Sequence, residues 1–255
     1  MFAFFRNWFD RRVIARSQIT PQQWTETYKA LPLLRGLSAR EKLILQQLVI
    51  LFLHRKVFEG AHGLAISQAM KLIIAMQACL PILYLGLDCY DSWYSVIVYP
   101  SGFAPKRMVT DEYGVEHQEQ TGLSGESWQR GPVILSWDDA EHAGVIDGHN
   151  LVIHEFAHKL DMQNGVANGF PPLHANMHRQ EWVEALSAGF EDFQRHCAHG
   201  RHTAIDCYGA TSPAEFFAVL SEVFFERPGL LIHHYPDIYT QFKLYYKQDP
   251  HLRLN

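Results

Sequence analysis

DGHNLVIHEFAHKLDMQNG, residues 147–165, reads as an apolar helix carrying one polar stripe. Asp147 is placed to cap its start and Gly165 to end it. Leu151, Val152, Ile153, Phe156, Ala157 and Leu160 make most of the surface apolar. Asn150, His154, His158 and Asp161 follow one another at steps of four, four and three, which keeps them on one face. An otherwise buried helix then carries a line of imidazoles, and buried polar groups need partners.

A metal ion suits two neutral imidazoles one turn apart. His154 and His158 would bind it from the same side, with Glu155 beside it but not bound to it. From there Glu155 can take a proton from a metal-activated water and later hand it to a leaving amine. This is the HExxH pattern of zinc metallopeptidases. The bland alternative is a helix whose histidines bond to nearby backbone or carboxylates. With 15 histidines in the chain, the three letters alone are moderate evidence, and the apolar setting and end signals add to them.

Catalytic zinc wants three protein ligands and an open position. One common continuation places a third histidine six residues after the second, but that position is Asn164. The other common solution is a glutamate on a later helix. Residues 208–228, YGATSPAEFFAVLSEVFFERP, offer Glu215, with Ser212 as N-cap and Pro213 at the first helical position. Ser212-x-x-Glu215 is also a capping box, so the sequence leaves Glu215 open between cap and ligand. Glu222 shares its face seven residues on, while Phe216, Phe217, Val219 and Leu220 read as core.

Working outward, residues 38–54 begin with a Ser38/Glu41 capping box and read as a helix. KVFEG is a short strand ended by Gly60, and residues 64–80 read as a mostly buried helix. LIIAMQACLPILYLGL, residues 72–87, is the longest apolar stretch. It is interrupted by Gln77 and Pro81, is shorter than the roughly 20 residues a membrane span needs, and reads as a buried helix running into a strand. Strands follow at 93–100 and 131–137, with a hairpin between them turning near Tyr113-Gly114. Strands succeeding one another predict a mixed or antiparallel sheet. Helices return at 147–163, 179–196, 212–226 and 236–247, separated by loops at 164–178 and 197–211. The expected fold is a single α+β domain over residues 1–255, with a mainly helical part at 1–90 and the catalytic core at 91–255.

Net charge is −5 and hydrophobic residues make up 47%, so no basic surplus points to direct nucleic-acid contact. The N-terminal MFAFFRNWFDRRVIARSQ meets Arg6 too early for a signal peptide and reads as a helix docking on its own domain, with a short amphipathic helix touching a membrane as the alternative. Cys79, Cys89, Cys197 and Cys207 show no CxxC spacing, and a reducing, cytoplasmic setting is the default reading. His174 and His178 in PPLHANMH lie in a Pro-rich stretch and read as surface loop, with a second metal site as the alternative, and His196, Cys197, His199, His202 and Cys207 in HCAHGRHTAIDC fit no standard zinc module and read as solvated loop.

VIHEFAHKLD, the later YGATSPAEFFAVLSEVFF and the preceding GPVILSWDD together resemble the bacterial MtfA (Mlc titration factor A) family. The resemblance covers essentially the whole chain and is closest from 131 to 226. It implies a cytosolic zinc metallopeptidase with a zincin-like fold similar to the catalytic domain of anthrax lethal factor. The implied ligands of one Zn²⁺ are His154, His158 and Glu215, with Glu155 as general base. It also implies that Tyr208 faces the reacting carbonyl and donates to the forming oxyanion; without it Tyr208 reads as a loop tyrosine. Aminopeptidase-like activity on a peptide or protein substrate and binding of an Mlc-type transcriptional repressor are further implications. A binding protein with a structural or vestigial metal is the competing account. Position 219 is Val where the common ExxxD pattern has a carboxylate, which leaves Asp161 and Glu222 as candidates for orienting a ligand imidazole, or as plain surface or cap residues. In zincin-like folds an edge strand pairs with extended substrate, so the 131–137 strand and Trp137 are candidates for the cleft wall, with an ordinary core strand as the alternative.

Overall fold

A computed structural model describes residues 2–101, 107–110, 116–119, 131–142, 145–199 and 203–254. The chain runs α1 (Phe2–Ala15), α2 (Pro21–Ala30), α3 (Ala39–Arg55), β1 (Val57–Gly60), α4 (Gln68–Cys79), β2 (Ser95–Tyr99), β3 (Arg107–Thr110), β4 (Glu116–Glu119), β5 (Val133–Ser136), α5 (Trp137–His142), α6 (Leu151–Asp161), α7 (Arg179–Ala198), α8 (Pro213–Glu226), α9 (Pro228–His234), α10 (Pro236–Tyr246) and α11 (Pro250–Leu254). It is mostly helical with a small sheet, which is compatible with the α+β expectation.

The helix starts follow local chemistry. Ser38 and Glu41 form the reciprocal capping box of α3, with Ser38 N donating to Glu41 Oε2 at 2.8 Å and Glu41 N to Ser38 Oγ at 3.3 Å. Thr20 and Gln23 do the same for α2. The N-terminal helix docks on the body of the molecule, where Asp10 accepts two hydrogen bonds from Arg55 Nη2 of α3 at 2.9 and 3.0 Å.

The sheet differs from the expectation. Its order is β1-β2-β5 and both pairings are parallel. Antiparallel pairing among the described residues is confined to the separate β3–β4 hairpin; the Tyr113-Gly114 turn lies outside those residues. The strand at 57–60 is the cause. It precedes α4, and a helical crossover of that length returns the chain parallel to where it started. Residues 57–99 are thus a β-α-β unit. The apolar run at 72–87 also departs from the reading: after α4 it passes through turns into a 3₁₀ turn at Leu87–Tyr90, not a strand. Pro81 and Gly86, with a φ of +87°, break it there.

One connected apolar core runs from Leu31 to Tyr246. Its aromatic centre lies behind α6, where the Phe156 ring is 5.1 Å from Tyr90, 5.5 Å from Trp93 and 5.7 Å from Phe52. Residues 216–226 of α8 are buried throughout. On its far side Phe217 packs on Phe242 and Phe224 on Tyr246. The site helices are therefore held rigidly from both sides. No helix among the described residues is long and apolar enough to cross a membrane.

Candidate metal centre

The helix that opened the analysis begins one turn later than Asp147 predicts. Asn150 is its N-cap, and its Oδ1 accepts from Ile153 N at 2.9 Å. Asp147 instead takes the His149 N–H at 2.9 Å, within the preceding turn. A short 3₁₀ turn, Met162–Asn164, follows the helix, and Gly165 ends it with a φ of +141°.

The polar stripe faces α8. His154 Nε2 lies 3.0 Å from Glu215 Oε2, His158 Nε2 lies 3.2 Å from the same oxygen, and the two Nε2 atoms are 3.2 Å apart. Three acceptor-capable atoms thus converge on one point. Ligands held about 2.0–2.1 Å from a tetrahedral Zn²⁺ stand about 3.3 Å from one another, so the spacing and donor types fit that ion. Among the described residues this is the one group of three or more His, Cys, Asp or Glu side chains spaced to hold a metal.

The alternatives left open for Glu215 separate here. Ser212 Oγ accepts from Glu215 N at 3.2 Å, so the serine caps α8. The Glu215 carboxylate does not reach back to complete the box but lies against both imidazoles. Burial works to raise its pKa, yet the hydrogen bonds and charges of the two histidines outweigh that and hold it well below the carboxylate range.

Of the two candidates behind the imidazoles, Glu222 is the one that touches a histidine. Its Oε1 lies 2.7 Å from His154 Nδ1, which orients the ring so that Nε2 points at Glu215. Burial opposes a charged His154, but the hydrogen bonds to Glu215 and Glu222 push its pKa up to about 10. The hydrogen bonds of Asp161 go to a loop instead. Its Oδ2 accepts from the backbone N–H groups of Asn168 and Gly169, both at 2.7 Å. Gly169, at a φ of +76°, lies so close to the start of α8 that a Cβ there would come within 2.5 Å of Pro213 O. Asp161 therefore pins the loop after α6 against the helix that carries Glu215.

One participant escaped the sequence reading. Glu226, only 2% exposed, accepts from Asn150 Nδ2 at 2.8 Å and from Gly148 N at 3.0 Å. Asn150 Nδ2 also bonds Gln77 Oε1 at 2.9 Å, and Asn150 N donates to Glu222. Two carboxylates one turn apart on α8 thus grip the segment entering α6. The available signal was a second glutamate, four residues after Glu222, in an otherwise apolar helix. Burial, reinforced by the charges of Asp147 and Glu222 and opposed by its two hydrogen bonds, pushes the Glu226 pKa up to about 8. Between its ordinary 4.5 and about 8, the folded chain holds a proton that the unfolded chain releases, so stability falls as pH rises through that window. We expect the Tm of metal-free protein, measured against Glu226→Gln, to decline across it. The offset from turning one acceptor into a donor is constant, and a difference independent of pH would refute the raised pKa.

A recess of about 480 Å³ opens beside His154; His158 and Glu215 do not line it. Glu155, His154, Tyr208 and Asp206 line it, and Trp137 is not among its lining residues. Tyr208 lies in a 3₁₀ turn, Cys207–Ala210, capped by Asp206 Oδ1 at 2.9 Å from Tyr208 N. Its ring centroid is 6.0 Å from that of His154. Burial and then the charges of Glu215 and Glu155 push its pKa up to about 12, so the phenol keeps its proton at neutral pH. Strand β5 stands at one edge of the parallel sheet and packs on α6.

Three of the histidines singled out in the loops meet backbone carbonyls. His174 bonds the Tyr245 carbonyl at 2.8 Å, His178 precedes α7 without capping it, and His196 Nδ1 bonds the Asp192 carbonyl at 2.9 Å. His199 faces the Arg195 carbonyl, and His202 lies outside the described residues. The cysteines depart from the all-thiol reading. Cys197 and Cys207 form a disulfide, while Cys79 and Cys89 are free. Ten residues separate the pair in sequence, and the fold returns the chain from the end of α7 to within 5.7 Å between Cα atoms, which spacing alone does not predict.

Residues 5–247 match the family described as glucose-regulated metallo-peptidase M90. A protein named Mlc titration factor A from Serratia proteamaculans is 39% identical, covering 92% of this chain and 90% of its own. Its namesake from Cronobacter sakazakii is 40% identical over 92% and 89%, and that of Escherichia fergusonii 38% identical over 94% and 92%. With the convergent histidines and glutamate on α6 and α8, these matches make this chain a member of the M90 metallopeptidase family, alongside the Mlc titration factor A proteins.

Proposed function

We propose that this protein is a zinc-dependent peptidase with a zincin-like core, acting as an aminopeptidase in the cytoplasm. The observation that carries this reading is the convergence of His154 Nε2, His158 Nε2 and Glu215 Oε2, with His154 lining a recess that Glu155 and Tyr208 also line. His154, His158 and Glu215 hold the ion. Bound Zn²⁺ supplies Lewis acidity, polarising the scissile carbonyl and lowering the pKa of a nearby water. Glu222 keeps His154 in the tautomer that offers Nε2. Glu155 takes a proton from the attacking water and returns it to the departing amine. The protonated Tyr208 phenol donates to the carbonyl oxygen as negative charge develops on it. The β5 edge offers backbone groups with which an extended substrate pairs.

The relatives' name, Mlc titration factor A, supports a second role for the same chain, capture of an Mlc-type repressor. A cleft and a binding surface can share one fold. The test is hydrolysis of aminoacyl and peptide chromogenic substrates before and after chelation. Turnover should disappear with the chelator and return with stoichiometric Zn²⁺. Turnover indifferent to chelation, or none on any substrate, would leave repressor capture as the function; binding of purified Mlc to metal-free protein then measures that role alone.

A further inference from the structure

We propose that the Cys197–Cys207 disulfide positions the Tyr208 phenol, so that transition-state stabilisation at this site depends on thiol redox state. This inference rests on the peptidase reading above. Cys207 immediately precedes Tyr208, and Cys197 lies in the last turn of α7, which packs against the turn carrying the tyrosine. The bond therefore fastens the backbone of a site residue to a long, well-packed helix.

The tyrosine ring is 45% exposed and is held on its site side by the Glu215 carboxylate and the His154 ring, so the backbone of the turn sets how the phenol meets them. Downstream the turn is well held. Gly209 fits between Phe193 and Val219, where a Cβ would approach each to 3.3 Å, and Gln194 Nε2 bonds the Ala210 carbonyl at 3.0 Å. Upstream the anchors are the buried Ile205, the Asp206 cap and the disulfide. Breaking the S–S bond leaves the turn in place but frees its entry, loosening the phenol without touching His154, His158 or Glu215.

Both cysteines are half-buried and so within reach of a small thiol. A thiolate attacks one sulfur to give a mixed disulfide, and a second thiolate displaces the protein sulfur. Two electrons and two protons pass to Cys197 and Cys207, and the reductant departs as its own disulfide. In a reducing compartment, disulfides are commonly transient and regulatory, which suits a bond of this position.

The experiment compares oxidised protein, protein reduced by a phosphine (oxidised in turn to its oxide with the oxygen of water) and the Cys197→Ser/Cys207→Ser double variant. Each is made with Tyr208 and with Tyr208→Phe. Thiol titration after unfolding should count two free thiols in the oxidised form, Cys79 and Cys89, and four after reduction. Tyr208→Phe should lower kcat roughly 100-fold, whereas reduction or the serine pair should lower it only about three- to tenfold, with KM and bound zinc unchanged. Neither should alter kcat further in the Tyr208→Phe background. In metal-free protein, amide hydrogens of residues 203–211 should exchange faster after reduction. Four free thiols under oxidising conditions, equal kcat in both redox states, or the same proportional loss with and without the phenol would each overturn the proposal. If turnover is instead insensitive to Glu155→Gln, the peptidase reading fails, and the exchange measurement decides the tether separately.

Discussion

Glu155→Gln is expected to keep stoichiometric zinc and a native melting profile while lowering kcat roughly 10²–10⁴-fold, the range for loss of a general acid–base group. That is about 3–5 kcal/mol of barrier. The substitution keeps the side chain's shape and changes only whether it can accept a proton. Glu155 is outside the converging trio, so metal retention should be insensitive to it. It is half-buried at the recess, while the packing of the helix rests on Phe156 behind it. Zinc content, melting and steady-state kinetics measured on one preparation distinguish the outcomes. Turnover equal to wild type would remove Glu155 from the mechanism and point to a contaminating peptidase. Loss of zinc together with turnover would make Glu155 a determinant of the metal site instead.

Glu215→Gln should have the opposite signature, losing stoichiometric zinc and turnover with it. A neutral amide oxygen is a poorer ligand than a carboxylate, and only two imidazoles would remain to hold the ion. Helix α8 should survive, because its cap is Ser212 Oγ on the backbone N–H of residue 215, which the substitution leaves untouched. The metal-free variant has a further expected property. Despite burial, the two histidines hold the Glu215 pKa below its ordinary 4.5. Its carboxylate thus contributes stability that is present above 4.5 and lost as pH falls through the folded value. Metal-free wild type should therefore melt above metal-free Glu215→Gln at neutral pH, with the gap closing in acid. Zinc retained at one equivalent in the variant would exclude Glu215 as a ligand and leave it as a hydrogen-bond partner of the two histidines.

The sequence by itself determined what depends on short-range periodicity and end chemistry. The 3.6-residue turn obliges Asn150, His154, His158 and Asp161 to share a face wherever the helix packs. Ser38 with Glu41, and Ser212 with Pro213, mark helix starts because a cap bond spans only three residues. The family could be read from the chain for the same reason: its motifs are local strings. Long-range partnerships were decided only in the tertiary structure. Whether Glu215 turns back to Ser212 or forward to the imidazoles depends on where α6 crosses α8, and local sequence does not encode that crossing. The same crossing set Glu222 against His154, left Asp161 to the 168–169 loop, and made a buried partner of Glu226, four residues further on. Parallel pairing of β1 with β2 and the closure of Cys197 on Cys207 are likewise contacts made by chain return. Each depends on how distant segments pack around one core, which is a property of the whole chain and not of any stretch within it.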